Sequence, residues 1–247
     1  MLGRELVDEL RESYLDDINL PYLWQPNELI RNLNRAEVQA TRRAHLLIDS
    51  TTANDSGTAG TASTMGQMPL CKLTIVADQA VYRVSPKILQ VRRLQLQSMT
   101  YPLTGPVSFA ELDEVQSGWF GTSGTIGTAG SGGYPTYFLN EPNNMVTIVL
   151  APSASDTAFL TVSRLPLISF TLQTSPEIDE QHHDGLLDWA AHLCFAKPDS
   201  ETRNDNLAKY YSDKFTERFG PLSNAYGEKM KKTLSQMQRM RPREFGS

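Results

Sequence analysis

Residues Glu177–Asp199 read EIDEQHHDGLLDWAAHLCFAKPD and hold three of the chain's four histidines together with one of its two cysteines. The stretch is either a metal or catalytic centre or a helix of the core, and spacing decides between them. Metal ligands must converge on a point, whereas helical side chains fan out around an axis. On a helix of about 3.6 residues per turn His183 and His192 point to nearly opposite faces, and His182 and His183 diverge by about 100°. By contrast Ile178, His182, Gly185 or Leu186, Trp189, Leu193 and Ala196 recur at steps of three and four, the pattern of one buried helical stripe. Asp184, Asp188 and His192 follow at i, i+4 and i+8 on another face, where acid–imidazole pairs support a helix. The spacing therefore predicts a core helix stopped by Pro198, with no bound metal and no cofactor. Gly185, in its middle, marks close approach of another helix.

Working outward, Arg4–Leu15 is amphipathic, with Leu6, Leu10 and Tyr14 on one line, and DDINLP breaks it. A second helix covers WQPNELIRNLNRAEVQATRRAHLLID, where Pro26 suits the first helical position and Glu28 the first turn. Its predicted buried face is Leu29, Leu33, Ala36, Ala40, Ala44 and Leu47. Arg31, Arg35, Gln39 and Arg42 line a different face, which is either solvated surface or a contact with a neighbouring subunit. A last helix spans Asp205–Phe219 and closes on Gly220-Pro221.

Between these helices the grammar is that of strands. CKLTIVA, AVYRV, ILQVRRLQLQ, YPTYFL, MVTIVL and FLTVSRLPL carry β-branched residues bounded by Pro, Asn, Asp and Gly. MVTIVLAPSASDTAFLTVSRL reads as a hairpin turning at PSASD. Ser108-Phe109-Ala110-Glu111 has the capping-box spacing, which predicts one short helix over Phe109–Val115. Ser50–Gln67 and Gly121–Gly133 are Gly-, Ser- and Thr-rich and read as flexible loops; the second lacks the spacing of a phosphate cradle. The expected fold is α+β: a helical bundle from residues 1–49 and 175–220, an inserted antiparallel β-rich domain from 50–174 built as a sandwich or small barrel, and a C-terminal extension, 221–247.

The 247 residues are 40% hydrophobic, enough for a globular core. No apolar run approaches the roughly 18 residues of a membrane span, and the charged N-terminus is unlike a secretory signal, so residence in a cytoplasm is expected. Cys71 and Cys194 suggest two buried thiols rather than a disulfide framework. The net charge of −5 is uneven: from Gly227 onward six Lys or Arg face two acids, leaving −9 on the rest. An acidic body argues against a DNA-gripping protein, which needs clustered cations. In the basic tail Met230, Leu234 and Met237 form a narrow stripe flanked by Lys229, Lys231, Lys232, Arg239 and Arg241, expected to order on a partner.

Two segments, Leu23-Trp24 leading into NELIRNLNRAEVQATRR and SPEIDEQHHDGLLDWAAHLCFAKPDSET, resemble the head-to-tail adaptor proteins of tailed bacteriophages, also called tail tubular A or head-completion proteins. The resemblance runs from about Leu20 to Gly220 and rests on Trp24, Ile178, Asp184, Gly185, Trp189 and Pro198 in that order; VYRVSPKILQVRRLQL and LTGPVSFAELDEVQSGW add to it. It implies a virion protein and not an enzyme: a homo-oligomeric ring, typically of about twelve copies, that sits on the portal protein, carries the tail nozzle or tube, and lets double-stranded DNA thread its lumen without sequence-specific binding. The tail is then the expected portal-docking segment. Two other readings stand beside it. One is a metal-dependent hydrolase using His182, His183, Asp179, Asp184 or His192. The other is a glycan- or receptor-binding module around Trp119, Phe120, Tyr134, Tyr137 and Phe138.

Overall fold

In the computed structural model of the chain, the residues described are 1–56, 67–116, 118–120, 134–141, 143–198, 203–222, 224 and 227. In chain order the elements are α1 (Gly3–Glu9), continued by a wider π-helical segment (Leu10–Leu15), α2 (Pro26–Ala44), β1 (Leu47–Asp49), β2 (Lys72–Ile75), β3 (Val81–Arg83), β4 (Ile88–Leu96), α3 (Phe109–Val115), β5 (Tyr137–Glu141), β6 (Met145–Val149), β7 (Asp156–Arg164), a 3-10 turn (Glu180–His182), α4 (His183–Phe195) and α5 (Asp205–Phe219). The described residues thus hold five α-helices and antiparallel sheets. They fall into two compact units, one formed by Met1–Asp49 with Ser163–Ser223 and the other built on Ser50–Val162.

In the helical unit, α2 begins where Pro26 sits at the first turn behind an extended Gln25. Leu29, Leu33, Ala36 and Ala40 are wholly buried, as the periodicity predicts. The helix stops sooner than expected. His45 takes the left-handed conformation (φ 51°), donates its N–H to Thr41 O at 2.9 Å and sets its ring Nδ1 2.9 Å from Ser163 Oγ. Ala44 is consequently exposed, and Leu47–Asp49 leave the helix as β1. Histidine is one of the residue types that tolerate this backbone region, so the sequence carries only a weak stop signal there.

The helix of the opening stretch forms, but its buried side matches the predicted stripe only at Ile178, Gly185 and Leu186. His183, Leu186, Leu187, Ala190, Ala191 and Cys194 are buried, whereas His182, Trp189 and Leu193 are only partly covered and Ala196 is exposed. The middle of α4 is apolar almost all round, so periodicity alone does not select a face. Packing selects it: α4 contacts both α2 and α5. Its residues share one core with Leu6, Leu10, Trp24, Leu29, Leu33, Phe215 and Phe219. Gly185 is where α5 comes closest. A Cβ there would lie 2.5 Å from Phe219 Cε2 and 2.8 Å from Arg218 Cδ.

In the other unit, β6 is the middle strand of a three-stranded sheet ordered β3-β6-β5, antiparallel on both sides, with Tyr82 opposite Val146 and Phe138 opposite Ile148. Val146, Thr147, Ile148 and Val149 are all buried, so this strand is covered on both faces, which explains its run of apolar residues. β7 belongs to a second sheet, pairing antiparallel with β2 and also with β4. The predicted β6–β7 hairpin therefore does not form. Leu150 turns the chain through positive φ (61°), and β7 finds partners among strands distant in sequence. Neither sheet closes into a barrel, contrary to one of the two expected forms.

Ser50–Gln67 is also not loop throughout. Leu70 N donates to Ala53 O at 3.0 Å and Asp55 N to Met68 O at 3.1 Å, so the two ends pair, and Ala53 and Asn54 are buried. Residues 57–66 and the Gly121–Gly133 loop lie outside the described residues. α3 starts as predicted, with Ser108 Oγ accepting from Glu111 N at 3.3 Å. Its Leu112 packs with Val107, Trp119, Leu139 and Val149 in a small core.

The Gly185 contact gives a stability prediction. Alanine would gain about 1 kcal/mol of helix propensity. Overpacking against Phe219 costs about 1–3 kcal/mol. Gly185→Ala is expected to be destabilising on balance in urea unfolding, and Gly185→Val more so.

Candidate assembly surfaces

The histidines of the opening stretch are engaged one by one. His183 is buried, its Nε2 3.0 Å from Ile178 O and its Nδ1 3.3 Å from the N-terminal amine; burial lowers its pKa. The His192 ring Nδ1 lies 2.9 Å from Ala208 O of α5, and His182 stands edge-on to Phe219. Among the described residues no three His, Cys, Asp or Glu side chains are grouped so as to hold a metal. Burial pushes the Cys194 thiol up to about 11, and Asn32 Nδ2 approaches its sulfur at 3.4 Å, so it is an inert core thiol.

Asp184 is exposed, but Asp188, expected to share a helix face with it and His192, is completely buried. The reason is α5. Lys214 Nζ lies 3.1 Å from Asp188 Oδ1 and Arg218 Nε 3.9 Å from Oδ2. Both are ion pairs without hydrogen-bond alignment, so neither carboxylate oxygen has a directed donor. Burial opposes the charge on Lys214, yet Asp188 outweighs it and raises the Lys214 pKa. A buried ion pair of this kind adds little net stability, but loss of one partner strands the other charge. Trp189, partly buried, packs on Phe215 at 5.0 Å, and Arg43 covers both rings while donating to Thr216 Oγ1 at 3.0 Å. Of the other motif residues, Trp24 and Ile178 are buried and Pro198 is exposed.

A second polar cluster left almost no mark in the sequence. Arg164 Nε donates to Asp49 Oδ2 at 2.8 Å and its Nη1 to Glu177 Oε2 at 2.6 Å, while Glu177 Oε1 accepts from Leu167 N and Ile168 N. Glu37, on the buried side of α2, accepts from Glu177 N at 2.6 Å. These groups tie the segment entering α4 to α2. Only a glutamate at a core position of α2 hinted at them.

On the surface of the helical unit, Arg31 and Arg35 are exposed and make no ion pair or side-chain hydrogen bond among the described residues; Arg42 is half-buried and is partnered. Between the π-helical segment and α2, Ile18, Leu20 and Leu23 are exposed. In the other unit the aromatics do not form a common platform. Phe138 and Trp119 are buried, the latter donating Nε1–H to Asp113 Oδ1 at 2.9 Å, Tyr137 is half-buried, and Phe120 and Tyr134 are exposed. The basic tail segment, Lys229 to Arg241, lies outside the described residues. No described helix is long and apolar enough to cross a membrane.

Polar groups committed to packing, together with exposed apolar and basic faces, define an α+β protein whose surfaces suit assembly. The family model of the SU10 adaptor protein matches residues 1–243, and the chain belongs to that family. This agrees with the resemblance to bacteriophage head-to-tail adaptors and extends it over nearly the whole chain. Membership implies a structural role in the virion, with phage portal and tail proteins as interaction partners, and not an enzymatic one. No curated protein matches the sequence significantly.

Glu37 gives a pH prediction. Burial raises its pKa from 4.5 to about 7, against the backbone N–H groups of Glu177 and Ile178, which lower it. The folded state therefore binds this proton more tightly than the unfolded chain. The corresponding stabilisation is full below the unfolded value of 4.5 and is lost as pH rises through about 7. Glu37→Gln keeps an acceptor and removes the titration. Between about pH 4 and about pH 8 the variant should gain up to about 3 kcal/mol relative to wild type in denaturant titrations.

Proposed function

We propose that the protein is a ring-forming head-to-tail adaptor that joins the portal vertex of the capsid to the tail nozzle or tube and forms part of the DNA channel. The observation that carries this reading is the match of the adaptor family to residues 1–243. In this reading residues 1–49 and 175–220 act as a helical bundle that builds the ring, and the β-rich domain of 50–174 is inserted in it. The copies number about twelve, a closed cyclic arrangement of one repeated contact. The −9 carried by residues 1–226 favours this use. A channel lined by net negative charge repels phosphate and lets DNA slide, whereas a basic lining would hold it. The protein is made in the host cytoplasm and resides at the head–tail interface of the virion.

Association entropy opposes a ring held by modest contacts, so the free protein is expected to close into one only on its template. Native mass spectrometry with added portal ring should detect a multicopy ring. A monomer or dimer in the presence of portal would overturn the adaptor reading.

The tail from Glu228 to Ser247 is the docking element in this proposal, its Lys and Arg groups meeting acidic portal residues while Met230, Leu234 and Met237 fill an apolar groove. Deleting it should leave the far-ultraviolet circular dichroism of the body intact and abolish portal binding, and added salt should weaken binding of the intact chain. Equal portal binding by the truncated protein would transfer the docking role to the body.

A further inference from the structure

The loop between the π-helical segment and α2 is pinned at both ends. Asp17 is buried, and its two carboxylate oxygens accept from Leu23 N at 2.9 Å and Trp24 N at 3.0 Å. Arg11, also buried, donates Nη2–H to Trp24 O at 2.6 Å and lays its guanidinium 3.9 Å from the Tyr22 ring centre. Asp17 N in turn donates to Arg11 O at 3.1 Å. On this braced frame Ile18 is 58% exposed, Leu20 78% and Leu23 53%. Scattered exposed leucines are ordinary, but three large apolar side chains on a backbone already ordered form a preorganised contact, since binding them costs little further loop entropy.

The charges around the loop point to what covers it. Glu12 and Asp16, in the segment leading into it, are exposed and have no cationic partner among the described residues. The same chain presents a surface of opposite character on α2, where exposed Arg31 and Arg35 share one stripe of the helix with Val38, itself 37% exposed. One patch is an apolar projection rimmed by acids, and the other an apolar position rimmed by cations. We infer that the loop is a hook that seats on the outer face of α2 in the next copy of this chain, making a head-to-tail contact between copies. Because the two patches differ, the contact is heterologous and leaves one hook open at one end and one α2 face open at the other end of any chain of copies. Such a contact closes into a ring when the rotation per copy allows, and only that closure rests on the adaptor reading. The opposite charges steer the encounter and set register, while the apolar side chains are desolvated at its centre.

Two full-length variants test this. Ile18→Ser with Leu20→Ser removes the hook's apolar surface, and Arg31→Glu with Arg35→Glu sets acid against acid at the α2 face. All four positions are exposed, so circular dichroism should match wild type. In sedimentation velocity at low salt, up to about millimolar protein, wild type should self-associate, and each variant alone should do so at least about tenfold more weakly. An equimolar mixture should then form a discrete dimer, because the intact hook of one variant meets the intact α2 face of the other and both remaining surfaces are defective. The inference is overturned if wild type stays monomeric over this range, if either variant associates as wild type does, or if the mixture yields no dimer or grows beyond it. Should it fail while the chain still forms a ring on portal, the hook alone loses its role and the adaptor reading stands.

Discussion

The seam between α4 and α5 is the contact on which the helical unit depends. At Gly185 the two helices approach so closely that Phe219 occupies the space a side chain would take. One turn further on, Asp188 is buried against Lys214 and Arg218. The glycine permits the approach, and the buried carboxylate sets which part of α5 faces it. With α5 seated, Trp189 and Phe215 pack with tilted rings, and Arg43 at the end of α2 reaches Thr216 and Gly220 O. α4 is thereby covered on two sides, and the remaining helices pack on what it presents. Both Asp188 oxygens lack a directed donor, so the contact supplies specificity of packing more than strength.

Apart from Asp188, the main buried charged groups of this unit act on the path of the backbone. Glu37, Glu177 and Arg164 hold the segment that enters α4. Asp17 and Arg11 hold the loop that enters α2. None of them converges with a nucleophile or a ligand set among the described residues, and the histidines of the opening stretch are taken up one by one, His183 beside Ile178 O and the N-terminal amine, His192 beside Ala208 O and His182 edge-on to Phe219. The chemistry exposed to the outside is of another kind: apolar Ile18, Leu20 and Leu23, and Arg31 and Arg35, which make no ion pair among the described residues. That division suits the structural role that membership of the adaptor family implies.

Much of this was legible in the residues. The stretches predicted as strands each contain one, α5 spans Asp205–Phe219 as predicted, and α3 begins at its Ser108 cap, because capping, proline placement and alternation are local properties. Errors arose wherever a local signal had more than one tertiary answer. A strand–turn–strand pattern reads as a hairpin, yet β6 and β7 belong to different sheets. A helix apolar on most sides has no unique buried stripe, so the predicted one holds at Ile178, Gly185 and Leu186 and fails at Trp189, Leu193 and Ala196. Asp188 reads only as a member of an acid–imidazole row because nothing near it in sequence foretells the cations of α5.

The sequence by itself determined that the chain is α+β, with helices at both ends of a β-rich middle, and its motif residues led to the adaptor family. These follow from periodicity, breakers and residue order, which act over a few residues at a time. Only the tertiary structure decided which face of α4 is buried, where α2 ends, that the ends of the first loop pair, and that Glu37 joins the Arg164 cluster. It also decided that Ile18, Leu20 and Leu23 stand on a braced loop, since their exposure depends on Asp17 and Arg11 reaching backbone groups several residues away. Burial and ion pairing are set by neighbours brought together by the fold, and those neighbours lie too far along the chain for any local pattern to specify.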